Sequence, residues 1–320
     1  MRAIGARAAE RLAPRLLGAA ALPGLCASAI AHTAQDAVAT SWRWSTEPWV
    51  VVPLALSAVL YAAGLARLWR RAGFGRGIRS WQAACMGGGW VALAAALVTP
   101  LDALGSRLFA AHMVQHELLM VVAAPLLVLG RPLAAWTWAL APSQRRRVGA
   151  ATRWRWLAAA WCGITRPVTA WMLHAVALWA WHVPVLFEAA LHHEAVHVLQ
   201  HTTFLGTALL FWWAVLGGDP RSPRGGFALA YLFTTMMHTG TLGALLTFAP
   251  TVWYPAYEQA GGAFGLTPVE DQQLGGLIMW VPGGIVYVIA GLALVGRLLA
   301  RPDVTPASAA RPALPRSGAS

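Results

Sequence analysis

Long apolar segments separated by short polar connections dominate the chain. Seven of them approach or exceed the about 20 residues that a helix needs to cross the hydrocarbon layer of a membrane. They run over 49–69, 82–100, 108–129, 167–187, 194–217, 226–249 and 274–299. The pattern therefore predicts an all-α fold, a polytopic membrane helix bundle of seven transmembrane helices that occupies residues 49–299.

Arginines concentrate in alternate connections, and the sequence contains no lysine. They follow the first, third, fifth and seventh spans, as Arg67, Arg70, Arg71, Arg76, Arg79, then Arg145, Arg146, Arg147, Arg153, Arg155, then Arg221, Arg224, and finally Arg297, Arg301, Arg311, Arg316. The opposite connections carry mainly acidic residues. Because basic loops stay on the cytoplasmic side, this alternation predicts an N-out, C-in orientation.

The two ends of the chain have compositions of their own. A basic start, an apolar stretch over 16–30 and the sequence Ala29-Ile30-Ala31 predict a signal peptide at 1–31, with an uncleaved anchor as the alternative. Residues 32–48 would then be an external segment. The tail, 300–320, is rich in Pro, Ala, Arg and Ser, and we expect it to be a disordered cytoplasmic segment.

Composition supports the membrane interpretation and excludes other classes. Charged residues make up 11% of the chain, against about 25% in soluble domains. The net charge is +12, and the arginines that produce it lie between the apolar segments. They therefore indicate membrane topology and contact with lipid rather than a nucleic-acid partner. The three cysteines form no C-x-x-C pair, so the sequence indicates no metal site with thiolate ligands. We find no nucleotide motif and no nucleophile arrangement, so we do not expect an enzyme.

Histidines carry the candidate chemistry. On the third span His112 and His116 are four residues apart and Met120 follows four later, so all three share one helix face. On the fifth span His193, His197 and His201 repeat this step. With the predicted orientation, these histidines, His182 and His238 all fall in the outer half of the membrane.

Polar side chains inside a membrane are costly, so the histidine stripes should face inward and meet. Neutral imidazole is a common metal ligand, and the methionine thioether selects Cu(I), so the mixture favours copper over zinc or iron. The alternative is that the histidines are hydrogen-bonded packing residues and the methionines fill gaps. The candidate metal residues are His112, His116, His182, His193, His197, His201, His238 and Met120. Glu117, Asp271 and Gln272 are candidates for supporting these ligands or for docking a partner.

The chain also resembles a known family. The resemblance lies in the run from His112 to Met120, Ala124-Pro125-Leu126, Gly130-Arg131-Pro132, the run from His193 to His201, Met237-His238, Trp253-Tyr254-Pro255 with Tyr257, and the run from Glu270 to Trp280. These motifs, which cover roughly 49–299, are similar to the CtaG family of integral-membrane cytochrome c oxidase assembly factors. The resemblance implies a seven-helix protein of the bacterial cytoplasmic (inner) membrane that matures a caa(3)-type or related haem-copper oxidase, with oxidase subunits as partners.

The residues leave three functions open. The first is an assembly factor that binds or passes copper through the outer histidines. The second is a haem-binding protein, with His116 and His201 as axial ligands and no C-x-x-C-H attachment motif. The third is a copper or proton transporter, in which Pro282-Gly283-Gly284 would break the seventh span.

Overall fold

The structure is a computed structural model that describes residues 44–217, 226–258 and 265–300. Helices make up nearly all of the secondary structure in these ranges, and they contain no β-strand, which confirms the all-α prediction. The predicted signal segment, most of the external segment 32–48, Arg221 and Arg224, and the tail beyond residue 300 lie outside the described residues.

The helices follow one another with short connections. In chain order they are α1 (Pro48–Ala72), α2 (Ser80–Leu97), α3 (Pro100–Gly105), α4 (Phe109–Glu117), α5 (Ala124–Leu129), α6 (Pro132–Ala139), α7 (Pro142–Ala151), α8 (Arg155–Ile164), α9 (Pro167–Trp181), α10 (Pro184–His192), α11 (Glu194–Leu216), α12 (Gly226–Thr247) and α13 (Pro268–Leu299). A π-helical segment, Leu118–Ala123, joins α4 to α5, so Phe109–Leu129 is one continuous helix.

Four helices in the described part of the chain are long and apolar enough to cross a membrane: α1, Phe109–Leu129, α11 and α13. The bent pair α9 and α10 makes a fifth candidate. The predicted second and sixth spans correspond to α2 and α12, which are helical but are not among these candidates. The chain is thus a helical protein with several apolar spans, while the count of seven and the orientation remain predictions.

Phe109–Leu129 is the central helix. Of its most apolar stretch 72% is buried, compared with 11% for α1 and 17% for α13. The outer helices expose large apolar side chains, such as Val59 on α1 and Ile289 on α13, as expected of surfaces that face lipid. The histidines of α4 therefore face protein rather than lipid.

The predicted span over 167–187 corresponds to two helices, α9 and α10, which meet at 75°. Pro184 begins α10, and a residue that precedes proline is driven out of the helical conformation. Val183 is accordingly extended, and His182 ends α9. The bend leaves the His182 carbonyl without a partner in its own helix. This carbonyl accepts a hydrogen bond from the Tyr254 hydroxyl at 2.9 Å.

Pro125 accounts for the π-helical segment. The Ala124 amide donates to the Leu119 carbonyl, five residues earlier. The Met120 carbonyl would next require an amide from Pro125, which has none. It accepts instead from Trp212 Nε1 of α11 at 2.9 Å. Such segments occur frequently at functional sites, and this one begins two residues after His116, the second histidine of α4.

The last helix, α13, continues through Pro282, so the break at Pro282-Gly283-Gly284 that the transporter alternative would use is not present. Helix α12 packs closely along α13 because Gly243 and Gly276 lie at the contact. A Cβ at Gly276 would fall 2.6 Å from the Thr247 amide nitrogen. Small residues that allow backbones to approach are the usual means of helix packing in membranes, and here they fix α13 beside the centre of the bundle.

Candidate functional site

Two pairs of histidines face one another across α4 and α11. The ring centroids of His112 and His116 are 4.4 Å apart, and those of His197 and His201 are 4.1 Å apart. Between the helices, His112 lies 5.5 Å from His197, and His116 lies 5.4 Å from His201. The two stripes therefore meet inside the protein.

His182, at the end of α9, adds a fifth ring. Its centroid is 6.0 Å from that of His116. Its Nδ1 lies 2.7 Å from the Leu178 carbonyl, which requires a proton on Nδ1 and leaves the lone pair on Nε2. We call the five residues His112, His116, His182, His197 and His201 the histidine cluster.

The cluster contains buried nitrogens that have no hydrogen-bond partner. These atoms are His112 Nε2, His116 Nδ1 and Nε2, His182 Nε2 and His201 Nε2. Leaving a buried polar group unpaired costs about 1–3 kcal/mol, and native structures contain few such groups. Their concentration on three helices makes the cluster a candidate binding site.

Three members of the cluster have the geometry of a ligand set. Ring nitrogens of His112, His197 and His201 all lie within 4.8 Å of one another. Nitrogens that are bound about 2.0–2.1 Å from one ion stand about 3.4 Å apart, so small ring rotations would close the set around a cation. The His112 Nδ1 lies 3.3 Å from the Gly105 carbonyl, which favours the tautomer with its lone pair on Nε2.

The edge of the cluster carries negative charge. His197 is partly exposed, whereas the other four members are buried. The carboxylates of Asp102 and Glu194 interact electrostatically with His197. Acidic groups at the mouth of a site raise the local concentration of cations, so the arrangement suits entry of a metal ion past His197.

Asp271 of α13 holds the histidine helix in place. Its two carboxylate oxygens accept hydrogen bonds from the amides of Phe109, at 2.7 Å, and Ala110, at 3.0 Å. Leu108, the capping residue of α4, has no side-chain cap of its own, so Asp271 supplies one from another helix. Asp271 is only 1% exposed, so it acts within the protein and not as a docking surface.

Gln272 fixes the loop that precedes α13. Its Oε1 accepts from the Trp253 amide at 2.6 Å, and its Nε2 donates to the Thr251 carbonyl at 3.1 Å. Like Asp271, Gln272 is buried. The two neighbours together position α4 and the loop over 251–257.

Aromatic rings from that loop pack against rings of α4 and α10 beside His112. Tyr254 stacks on Phe187 at 4.1 Å, and Phe187 lies 5.0 Å from His112. The Tyr257 hydroxyl donates to the Gly105 carbonyl at 2.9 Å. Burial, and then the neighbouring Asp271 carboxylate, raise the pKa of Tyr257 well above its ordinary value, so its hydroxyl remains a donor. We call Phe109, Phe187, Tyr254 and Tyr257 the aromatic lid.

Met120 and Glu117 lie apart from the histidine cluster. Both line a small cavity of about 10 Å³, together with His174, Met279 and Tyr287, which is room for about one water molecule. Glu117 Oε2 is buried without a partner. Glu117 directly precedes the π-helical segment, in which Met120 lies. The four-residue spacing that groups Met120 with His116 applies to an α-helix, and the π turn changes that register.

Two other candidates also fall outside the cluster. His238 of α12 lies against Trp171, with ring centroids 5.4 Å apart, and both of its ring nitrogens are buried without a partner. His193 caps the start of α11 and is exposed. The structure thus brings five of the predicted histidines together and leaves these two elsewhere.

Gln200 is a residue of the site that the sequence prediction did not include. Its side chain is fully buried, both amide atoms lack hydrogen-bond partners, and it interacts with His112. The sequence held a signal for it, because a glutamine between two histidines of an apolar span requires a polar neighbour.

Comparison with curated proteins finds relatives in mycobacteria. Uncharacterized proteins of Mycobacterium bovis and Mycobacterium tuberculosis are each 30% identical over 269 residues, which cover 81% of this chain and 39% of theirs. An uncharacterized protein of Mycobacterium leprae is 27% identical over 247 residues, which cover 74% of this chain and 36% of its own. The chain therefore spans about two fifths of the length of these curated relatives. No solved structure matches it.

The family assignment rests on most of the chain. Residues 59–301 match the family described as cytochrome c oxidase caa3 assembly factor. This range includes the histidine cluster, the aromatic lid and Asp271. The chain belongs to the cytochrome c oxidase caa3 assembly factor family, Caa3_CtaG.

Proposed function

We propose that the histidine cluster binds copper and passes it to subunits of a caa3-type or related haem-copper oxidase during assembly. The observation that carries the proposal is the set of His112, His197 and His201 nitrogens within 4.8 Å of one another. Copper is the cargo, and the role is non-catalytic. The protein would act in the cytoplasmic (inner) membrane, in contact with lipid and with the oxidase.

Copper suits the cluster and the family together. Neutral imidazoles bind zinc, copper, iron and nickel alike, so the rings alone do not select the metal. A haem-copper oxidase needs copper, and the family is defined by the assembly of such an enzyme. Neutral ligands also bind a monovalent ion without the strong electrostatic attraction of an anionic ligand. Weaker attraction favours later transfer of the ion to the oxidase.

Close packing disfavours the haem alternative. Axial ligation by His116 and His201 would require a porphyrin between their rings, whose centroids are 5.4 Å apart with planes at 89°. Phe204 packs 4.6 Å from His116 on one side of that space. A single ion would need only small rotations of these rings.

One observation supports transport as a second candidate function. The cavity beside Glu117 and Met120 lies beyond His116 along the central helix and contains a carboxylate, an imidazole and two thioethers. The cavity would be a second binding site for a cation that moves past the histidine cluster. Copper uptake by vesicles that contain the purified protein, with no uptake by vesicles that lack it, would establish this alternative.

Titration of the purified protein with Cu(I) against a coloured Cu(I) chelator tests the copper proposal. We expect one tightly held equivalent, and loss of affinity by at least about 100-fold in His201→Ala, since even indirect supports of a ligand contribute 10–100-fold. His193→Ala, an exposed histidine on the same helix, is the matched control. Wild-type affinity in His201→Ala would overturn the proposal. A haem absorbance band in the purified protein would favour the haem-binding alternative.

A further inference from the structure

A basic pocket lies at the C-terminal end of α1, well away from the histidine cluster in sequence. It has a volume of about 390 Å³ and is lined by Arg67, Arg70 and Arg71 of α1, by Arg145 of α7, and by Trp138 and Leu140. None of these residues takes part in the site described above.

Helix α6 forms one wall of the pocket because it is fixed along α1. A Cβ at Gly64 would lie 1.9 Å from the Ala135 carbonyl oxygen, so only glycine allows this approach. Trp136 Nε1 donates to the Ser57 carbonyl at 3.1 Å, and the Tyr61 hydroxyl donates to the Gly130 carbonyl at 2.9 Å. The wall is therefore a rigid part of the fold.

The arginines are held by neutral groups. Arg67 donates to the Ala139 carbonyl, and Arg145 Nε donates to the Thr137 carbonyl at 3.2 Å. The Arg145 guanidinium also lies 4.1 Å above the Trp138 ring. Within residues 44–217, 226–258 and 265–300, none of the four guanidinium groups has a carboxylate within 4.0 Å. Four positive charges thus line one space to which the described part of the chain contributes no carboxylate.

With α1 as a membrane span, the pocket would lie at the depth of lipid headgroups. Helix α1 has 25 residues and is about 37 Å long, which exceeds the hydrocarbon thickness of about 30 Å. Arg67, Arg70 and Arg71 occupy its last two turns. Large apolar side chains earlier on the same helix, including Leu56 and Val59, are exposed. A lipid could therefore place its phosphate among the arginines and its acyl chains along α1.

We propose that this pocket binds the phosphate of an anionic phospholipid. Arginine presents planar, multidentate donors that match phosphate oxygens. Basic pockets between membrane helices are suited to headgroups with more than one negative charge. Bound lipid would connect α1, α6 and α7 at one membrane face. The proposal does not depend on copper binding.

Lipid retention by the full-length protein tests it. The protein would be reconstituted in nanodiscs of phosphatidylcholine with phosphatidylglycerol or cardiolipin, extracted in mild detergent, and weighed intact by native mass spectrometry. We expect wild-type protein to retain the anionic lipid over phosphatidylcholine. Arg70→Gln/Arg71→Gln, which alters exposed side chains, should lower retention about 10-fold or more.

The matched control is Arg146→Gln/Arg147→Gln, which removes the same charge from α7 but lies outside the pocket. Equal loss in both double variants would mean that net charge alone attracts lipid, and would overturn the proposal. Arg145→Gln supplies a second pocket variant, with thermal unfolding to confirm that each protein is folded. Displacement of the lipid by millimolar inorganic phosphate would assign the pocket to a soluble phosphate and would equally overturn it.

Discussion

His112 and His201 illustrate how much single positions in the sequence reveal. Their four-residue partners, together with the cost of polar groups in lipid, are enough to place both stripes inward and opposite one another. The position of His238 beside Trp171 could not be predicted, because it depends on the rotation of α12. Helical spacing groups residues within one helix, whereas tertiary packing decides which helices share a site.

Asp271→Ala should weaken both the fold and the site. The substitution removes two charge-assisted hydrogen bonds from the start of α4, at Phe109 and Ala110. We expect a loss of about 2 kcal/mol in the free energy of unfolding and weaker Cu(I) binding, because His112 lies in the next turn. Thermal unfolding in detergent and chelator competition would measure the two effects.

Glu258→Ala is the control for this substitution, since Glu258 is an exposed carboxylate of the same loop region. If Asp271→Ala unfolded at the same temperature as Glu258→Ala, the capping role of Asp271 would be wrong. Loss of stability without any loss of Cu(I) affinity would show that α4 keeps its histidines in place without this cap.

Among the helices, the two irregular segments had signals in the sequence. Pro184 lies inside the predicted span over 167–187, and a proline at that place predicts the end of the preceding helix. Pro125 likewise removes one amide donor from the central helix. Whether a proline bends a helix, as Pro184 does, or produces a π turn, as Pro125 does, depends on which neighbour satisfies the freed carbonyl. For Met120 that neighbour is Trp212, from a distant part of the chain.

Trp212→Phe should destabilise the central helix. The smaller phenyl ring would fill only part of the space, and the Met120 carbonyl would lose its donor in an apolar environment. We expect a loss of about 1–3 kcal/mol in the free energy of unfolding, measured by thermal unfolding in detergent. Trp213→Phe is the matched control, because Trp213 is only partly buried and lies beside Trp161. An equal, small effect of both substitutions would contradict the role assigned to Trp212.

The described part of the chain combines a central, largely buried helix with outer helices that expose apolar side chains, and the arginines predict its orientation in the membrane. Reporter fusions at Arg76 and Arg311 should be active only with a cytoplasmic reporter, and a fusion at Glu258 only with an exported one. An odd number of spans places the two ends of the bundle on opposite sides. An active exported reporter at Arg311 would exclude the seven-span arrangement.

The copper content of the oxidase tests the central claim most directly. Cells that lack the native protein would receive the wild-type chain, His201→Ala or His193→Ala at equal membrane abundance, and the purified oxidase would be analysed for copper per haem. We expect a normal ratio with wild type and with His193→Ala, and oxidase that lacks copper with His201→Ala, because His201 lies in the ligand set. A normal copper ratio with His201→Ala would contradict the account.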